Sequence, residues 1–349
     1  MVRGDCLREA VDFHSRFNDR YGVLTRRILR EVSENARISI SDMSRKVGTS
    51  RWYSRGRIKK LDAELGIRYT IEPNESKLGL SAGHLILVKF KSRPDYEHIA
   101  GLLGRSYIPQ LAASVKGNYD MLVYAIATSS QEYARWDKGM QVAFSQYKAS
   151  WQSSEVVHRQ LGFFPLRNEL IEHTSVPSKY KELLKALNSD SRASFQSLAK
   201  KLGMHFNTVA YGMNRLLSEG YVKRFTITMD KPDMVSLMSF FAKYSPTEGY
   251  EDSSAEARKS FMSDDENSVM SRYLITAPLI GGYDFFTLGA FDDKKTAYRE
   301  GVLYHKRLFE KHGIRMRYGE IEKVILGSLP IRSINTKKEY ATMKWTEDF

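Results

Sequence analysis

Apolar positions along this chain change period several times, and the changes come in the same order twice. Within 183–217, Leu183, Leu184 and Leu187 form one stripe, Phe195, Leu198, Ala199 and Leu202 a second, and Val209, Met213, Leu216 and Leu217 a third. Intervals of three and four put each set on one face of an α-helix. Gly203 separates the second and third stripes, and glycine turns a chain through positive φ without steric penalty. Ser194 stands where the second helix needs an N-cap. Two helices joined by a short glycine-containing turn are the helix-turn-helix pattern. Gly220 closes the third helix, and 222–228 is β-branched enough for a wing strand. Upstream the succession is the same: Ile28, Leu29 and Val32, then Ser39 with Ile40, Met43 and Val47, then Gly48, then Ile58 and Leu61. Each stretch predicts three short helices and a small strand pair, a winged helix-turn-helix.

After each such module the period shortens. Residues 84–91 read as a strand, 94–103 as an amphipathic helix, 111–115 and 121–128 as two strands joined through Gly117-Asn118, 131–147 as a helix and 155–158 as a strand. That order, βαββαβ, is the ferredoxin-like sandwich. Its second occurrence runs through strands at 235–244, 273–279, 283–291 and 319–325, with one helix inside 245–268 and another over 294–311. The fold class is therefore α+β, two winged helix-turn-helix modules each followed by a ferredoxin-like βαββαβ sandwich. The divisions are a helical extension at 1–22, the first helical module at 23–73, the first sandwich at 77–165, a linker at 166–177, the second helical module at 178–230, the second sandwich at 233–330 and a polar tail at 331–349.

Residue matches make the repetition explicit. Ala36-Arg37-Ile38-Ser39 through Gly48 to Leu61 aligns with Ser191-Arg192-Ala193-Ser194 through Gly203 to Leu216 at a constant offset of 155. Arg68-Tyr69-Thr70-Ile71 matches Arg224-Phe225-Thr226-Ile227 at 156, and Gly117-Asn118-Tyr119-Asp120 matches Gly281-Gly282-Tyr283-Asp284 at 164. Matches in one order at slowly growing offsets mean a tandem duplication.

Composition then narrows the chemistry. The 349 residues carry 54 Lys and Arg against 41 Asp and Glu, a formal charge of +13, so an anionic partner is expected. The excess is localised. Seven bases and no acid lie between Arg45 and Lys60, whereas seven acids face only Arg258 and Lys259 within 245–268. A single cysteine, Cys6, excludes a disulfide framework and any multi-cysteine zinc site. No apolar run approaches the ~18 residues of a membrane span and no secretory signal is visible, so a cytoplasmic protein is expected.

With these motifs in hand, the chain resembles the Lrp/AsnC (feast/famine) transcription regulators of bacteria and archaea, twice over. The first copy keeps Ser50, Arg57-Ile58-Lys59-Lys60-Leu61-Asp62 and Gly117-Asn118-Tyr119-Asp120; the second keeps Thr208-Val209, Leu216 and Gly281-Gly282-Tyr283-Asp284. Tyr53-Ser54 stands where the family has Thr-Val and Gly212 where it has Arg, departures that would loosen one recognition helix. The resemblance implies a sequence-specific regulator binding double-stranded DNA, with the sandwiches as RAM domains, paired sheet to sheet in a homodimer or an intramolecular pseudo-dimer.

The DNA-reading candidates are Ser50, Arg51, Trp52, Arg55, Lys59 and Lys60 in the first module, and Asn207, Thr208, Tyr211, Asn214 and Arg215 in the second. The first set is cationic and suits phosphates and guanine; the second hydrogen-bonds, and Asn suits adenine. Lys200, Lys201, Lys223 and Arg224 would meet phosphates. Tyr53 either packs on DNA or fills the helical core. At the hairpins, Gly117, Asn118, Gly281 and Gly282 supply tight turns, and Tyr119 and Tyr283 can fill the sheet face. The resemblance adds an effector, often an amino acid, whose ammonium group Asp120 or Asp284 would hold.

No catalytic residue, metal ligand set or cofactor motif is visible: there is no Gly-rich phosphate loop, and none of the eight His has ligand spacing. Two other classes remain. One is a helix-turn-helix scaffold or sensor with degenerate DNA binding. The other is a siroheme-decarboxylase-like enzyme, whose family joins the same two modules but carries a His-Asn-Tyr-x-Arg hairpin, where this chain has Lys116-Gly117 and Ile280-Gly281 without histidine.

Overall fold

A computed structural model describes residues 24–331 apart from 26, 93, 158–161, 231–234, 244–272, 292, 304–305 and 307–313. The extension at 1–22, the helix expected within 245–268 and the tail beyond 331 lie outside the described residues. In chain order the first half forms α1 (residues 27–34), α2 (Ile40–Val47), α3 (Arg51–Leu65), β1 (Ile67–Pro73), β2 (Ala82–Lys89), α4 (Tyr96–Gly104), β3 (Pro109–Gly117), β4 (Met121–Ala127), α5 (Ser130–Ala143) and β5 (Ser150–Val156). The second half forms α6 (Asn168–Ile171), α7 (Ser178–Ser189), α8 (Phe195–Leu202), α9 (Phe206–Ser218), β6 (Val222–Met229), β7 (Ser236–Lys243), β8 (Tyr273–Gly281), β9 (Phe285–Phe291), β10 (Arg315–Leu326) and β11 (Leu329–Pro330). A helical stretch, Lys294–Thr296 continued by a π-helical segment Ala297–Leu303, precedes β10. Among the described residues no helix is long and apolar enough to cross a membrane.

The helical modules begin as their capping residues dictate. Ser39 Oγ accepts from Asp42 N at 3.0 Å and Gly48 ends α2 at φ 77°; Ser194 Oγ accepts from Ser197 N at 3.1 Å and Gly203 ends α8 at φ 64°. The strands depart from expectation. Instead of a strand pair inside each module, each module supplies one strand, and β1 pairs antiparallel with β6 from Ile67↔Met229 to Pro73↔Val222. The repeat-equivalent Thr70 and Thr226 face each other at the centre of the ladder, so a pseudo-two-fold axis passes through that pair.

Contacts around that axis come in matching pairs. Ala36 N donates to Phe225 O (2.9 Å) and Ser191 N to Tyr69 O (3.0 Å). Thr70 Oγ1 donates to Asn188 O and Thr226 Oγ1 to Ser33 O, both at 2.7 Å. Arg37 Nη1 reaches Ser191 O and Arg192 Nε reaches Ala36 O, both at 2.6 Å. Each guanidinium also lies over a ring of the other copy's half of the seam, Arg192 on Tyr69 at 3.8 Å and Arg37 on Phe225 at 5.3 Å.

The sandwiches obey the same axis. One sheet runs β5-β2-β4-β3 and the other β10-β7-β9-β8, and they join edge to edge where β3 pairs β10 and β5 pairs β8. Two such seams close an eight-stranded barrel. Alternation along β2 sorts the side chains. Leu85 and Leu87 join Tyr124, Phe164, Phe241 and Phe286 in a core continuous with the helical modules, while Ile86 and Val88 pack outward on Ile99, Leu103, Tyr133 and Trp136 of α4 and α5.

The segment read as a linker, 166–177, is partly buried: Leu166, Leu170, Ile171, Thr174 and Val176 lie in the interior, whereas 169, 172, 173, 175 and 177 are exposed. From Gly162 the chain enters the core through Phe163, Phe164 and Leu166, then Leu170 and Ile171 of α6, and Phe164 stacks on Tyr124 with centroids 3.8 Å apart. Residues 162–166, Gly-Phe-Phe-Pro-Leu, recur as Gly-Ser-Leu-Pro-Ile at 327–331. Gly162 (φ 70°) and Gly327 (φ 79°) lie against the Leu274 and Gln110 carbonyls of the opposite copy, where no Cβ fits.

Candidate nucleic-acid interface

Burial divides α3 along its length. Ser54, Ile58, Leu61 and Leu65 face the core, and the 100° per residue of a helix puts Trp52, Gly56, Lys59 and Ala63 on the opposite line, all exposed. Ser50 caps the helix by accepting from Tyr53 N at 3.1 Å. The hydroxyl of Ser54 at a packing position is satisfied by Thr49, 2.7 Å away, so the helix seats without an orphaned polar group. Tyr53 belongs with the core, half-buried and packed on it, its ring under Arg57.

The seven-base run separates into two groups. Arg45 pairs with Asp42 (3.3 Å), Lys46 with Glu31 (2.8 Å) and Lys60 with Glu64 (3.5 Å), and Arg57 donates to Tyr53 Oη. Arg51, Arg55 and Lys59 are exposed and have no acidic partner among the described residues. Trp52 stands among them 85% exposed.

In α9 the buried line is Val209, Gly212, Met213 and Leu216, and the outward line is Asn207, Tyr211, Asn214 and Ser218, flanked by exposed Thr208 and Arg215. Gly212, a departure read as loosening the helix, lets it sit close: a Cβ there would come 2.8 Å from Leu183 and 3.5 Å from Tyr180 of α7. His205 is the N-cap, its Nδ1 accepting from Asn207 N at 3.3 Å. Arg215 pairs with Glu219. Lys200 and Lys201 are exposed on α8. Arg224, expected at a phosphate, instead bonds Glu72 (2.7 Å) and Glu34 (3.2 Å) across the seam between modules, and Lys223 lies 3.8 Å from Glu72.

The hairpin residues sit at the barrel seams. Asn118 N donates to Tyr318 O (3.0 Å) and Tyr318 N to Asn118 Oδ1 (2.9 Å), while Gly117 faces Gly319 so closely that a Cβ would lie 2.5 Å from Tyr318 O. At the other seam Gly281 faces Ser154, and the Gln152 side chain fills the space above Gly282. Tyr119 is buried and shares a 2.5 Å hydrogen bond with Ser239 of the other sheet. Burial pushes its phenol well above the usual tyrosine value, with the Ser239 bond working the other way. Tyr283 packs on Phe241, and its N donates to Ser154 Oγ at 3.2 Å. Asp120 takes Lys89 Nζ at 2.7 Å and Phe90 N at 2.7 Å, and Asp284 takes Lys243 Nζ at 2.8 Å. The carboxylates expected to hold an effector's ammonium group thus hold repeat-equivalent lysines of the chain itself.

Gly56 is the residue that sequence reasoning passed over. It has no positive φ, and a Cβ built on it meets nothing within 4 Å. A glycine in an exposed helix was visible in the sequence, but only the packing separates it from Gly212.

Both helical modules coincide with matches to known domains. An AsnC-type helix-turn-helix domain matches residues 24–62, and a winged helix-turn-helix DNA-binding domain matches 181–223. The chain is 35% identical over 120 residues to an uncharacterized HTH-type transcriptional regulator of Pyrococcus horikoshii, a match covering 32% of this chain and 75% of that protein. A counterpart from Pyrococcus abyssi gives the same figures. Among solved structures, that of the siroheme decarboxylase NirDL superimposes with a TM-score of 0.53 at 12% identity, covering 90% of this chain and 96% of that one. That likeness is one of fold.

Proposed function

The chain belongs to the Lrp/AsnC family of helix-turn-helix transcription regulators, and from that premise we propose that one chain reads an asymmetric stretch of duplex DNA with two unlike recognition helices. One observation carries the proposal: α3 turns Arg51, Arg55 and Lys59 to solvent with no acid among the described residues to neutralise them. Duplex DNA is a dense row of phosphates, and each one neutralised steepens the fall of log K with log salt by about 0.9. Replacing Arg51 and Arg55 together by Ala should weaken binding to every duplex and flatten that slope by about 1.8. Asn207→Ala should instead relax the preference at one half-site and leave the slope nearly unchanged, because an amide reads adenine without neutralising charge.

The pseudo-two-fold supports half-sites about one turn of DNA apart, as symmetric helix-turn-helix dimers use. Selection from random duplexes followed by mobility-shift titration at several salt concentrations tests both variants. Titrations unchanged from wild type would overturn the assignment of these helices, and failure to enrich any duplex would favour a scaffold. Regulation by an amino acid, which family resemblance implies, would act at the hairpins, its ammonium displacing Lys89 from Asp120 or Lys243 from Asp284. Calorimetric titration tests this; binding heat that survives Asp120→Asn with Asp284→Asn excludes the hairpins.

The whole-chain likeness in fold to NirDL supports a second, enzymatic reading. Its test is visible absorption from a tetrapyrrole carried by the purified chain, whose hairpins bring no histidine to Gly117 or Gly281.

A further inference from the structure

The outward lines of α3 and α9 correspond residue for residue at the repeat offset of 155: Trp52, Gly56, Lys59 and Ala63 against Asn207, Tyr211, Asn214 and Ser218. Bulk is exchanged between the first two positions. The first helix carries its ring at the first position and nothing at the second; the second helix carries a small amide and then a ring, Tyr211, 59% exposed. The two rings therefore project from places four residues apart, just over one helical turn and about 6 Å along the axis.

Neither feature of α3 has a packing role among the described residues; Gly101 of α4 and Gly139 of α5 are equally open helix glycines, so what singles out Gly56 is its place beside Trp52 among Arg51, Arg55 and Lys59. A mid-helix glycine is destabilising relative to Ala unless the backbone must be strained or closely approached. At Gly212 the close approach is internal, from Leu183 of α7; at Gly56 nothing among the described residues comes near. Trp52 buries almost nothing, although an indole is one of the largest apolar groups a helix can carry. Both lie between cations without acidic partners, Arg51 and Arg55 before and among them and Lys59 after. A polyanion is thus the partner whose charge matches this face, and duplex DNA is the one whose groove floor would lie against a bare helix backbone.

We infer that Trp52 and Gly56 are specificity-determining residues, Gly56 letting the α3 backbone approach the major-groove floor while Trp52 packs on thymine methyl groups, and that Tyr211 makes the corresponding contact one turn further along α9. This rests on the DNA-binding reading, and it adds that the asymmetry of the site arises from where each helix carries its ring. Thymine offers the only methyl group in the major groove, and an apolar side chain reads it by contact.

The test uses the full chain and duplexes selected by the wild type. Gly56→Ala should melt no lower than wild type, since Ala is the better helix former, yet bind the selected duplex about tenfold more weakly or worse. Trp52→Ala should lose about as much, and deoxyuridine in place of thymine in the first half-site should remove most of the difference between Trp52→Ala and wild type. Reselection with Trp52→Asn plus Gly56→Tyr, which transfers the α9 pair to α3, should give a more nearly palindromic site. Wild-type affinity in Gly56→Ala, or an unchanged selected site for the double variant, overturns the inference while leaving DNA binding intact. A wild-type chain that enriches no duplex removes the premise as well.

Discussion

At Gly162 and Gly327 a methyl group would have to share space with a carbonyl oxygen, that of Leu274 in one case and Gln110 in the other, on backbone already at positive φ. Neither neighbour is a side-chain end that can swing away; each is the main chain of a barrel strand. Gly162→Ala or Gly327→Ala should therefore lower stability by more than about 2 kcal/mol, left-handed strain and displacement of the strand acting together. Denaturant midpoints of the full chain measure it, and a variant as stable as wild type would contradict the packing described. The sign is opposite to that expected for Gly56→Ala, although all three positions read simply as Gly in the sequence. The repeat at 162–166 and 327–331 was legible there, yet a stretch between modules reads as a linker when nothing shows what buries Leu166, Leu170 and Ile171. Gly212 was misread for the same reason, because an absent side chain is visible in a sequence and a neighbour pressing into its space is not.

Helices were legible because their signal is local. The stripes of α2, α3, α7, α8 and α9, and the serines that cap α2 and α8, are set by residues three and four apart. Strand partners are not local, and the β-branched character of 222–228 predicted a strand without saying that β1, some 150 residues away, would be its mate. Arg37 and Arg192 read as ordinary cations of a basic chain, and Arg224 as a phosphate contact; all three are spent on the seam between modules. Burial lowers the Arg37 guanidinium from its ordinary value while Asp190 works to raise it, and the charge is retained against the Ser191 carbonyl. Truncating either Arg37 or Arg192 to Ala should cost about 1.5–3 kcal/mol, the range of a charge-assisted hydrogen bond to a carbonyl. Because both bonds hold one seam, Arg37→Ala and Arg192→Ala combined should depart from the sum of the singles. Strict additivity in denaturant titrations would mean that the two contacts are independent.

At the scale of the molecule, duplication told that two units are present but not how they meet. The expectation of sheets paired in a homodimer or within one chain left two arrangements open. In the structure strand edges meet at two seams, β3 with β10 and β5 with β8, so each four-stranded sheet spends both of its edges on the other copy of the same chain. An unpaired edge is what invites a second chain; among the described residues the barrel offers none, and the open edges are those of β1 and the two-residue β11 in the three-stranded sheet β1-β6-β11. The covalent link also presents one copy to the other at an effective concentration far above that of free chains. The functional unit should then be one chain carrying both recognition helices, with β1 and β6 fixing the distance between them. Light scattering should give the mass of a single chain over a wide concentration range, and titration of the selected duplex should saturate at one chain per site with no concentration-dependent assembly step. Two chains per duplex, or a mass that doubles before DNA is added, would overturn the one-chain unit, whether intact barrels associate or the barrel opens and exchanges halves between chains. Exchange keeps each first module against a second one, so each rebuilt unit would still read an asymmetric stretch; a palindrome read by Arg51 and Trp52 on both sides would instead mean that like modules pair, and would overturn the β1–β6 seam.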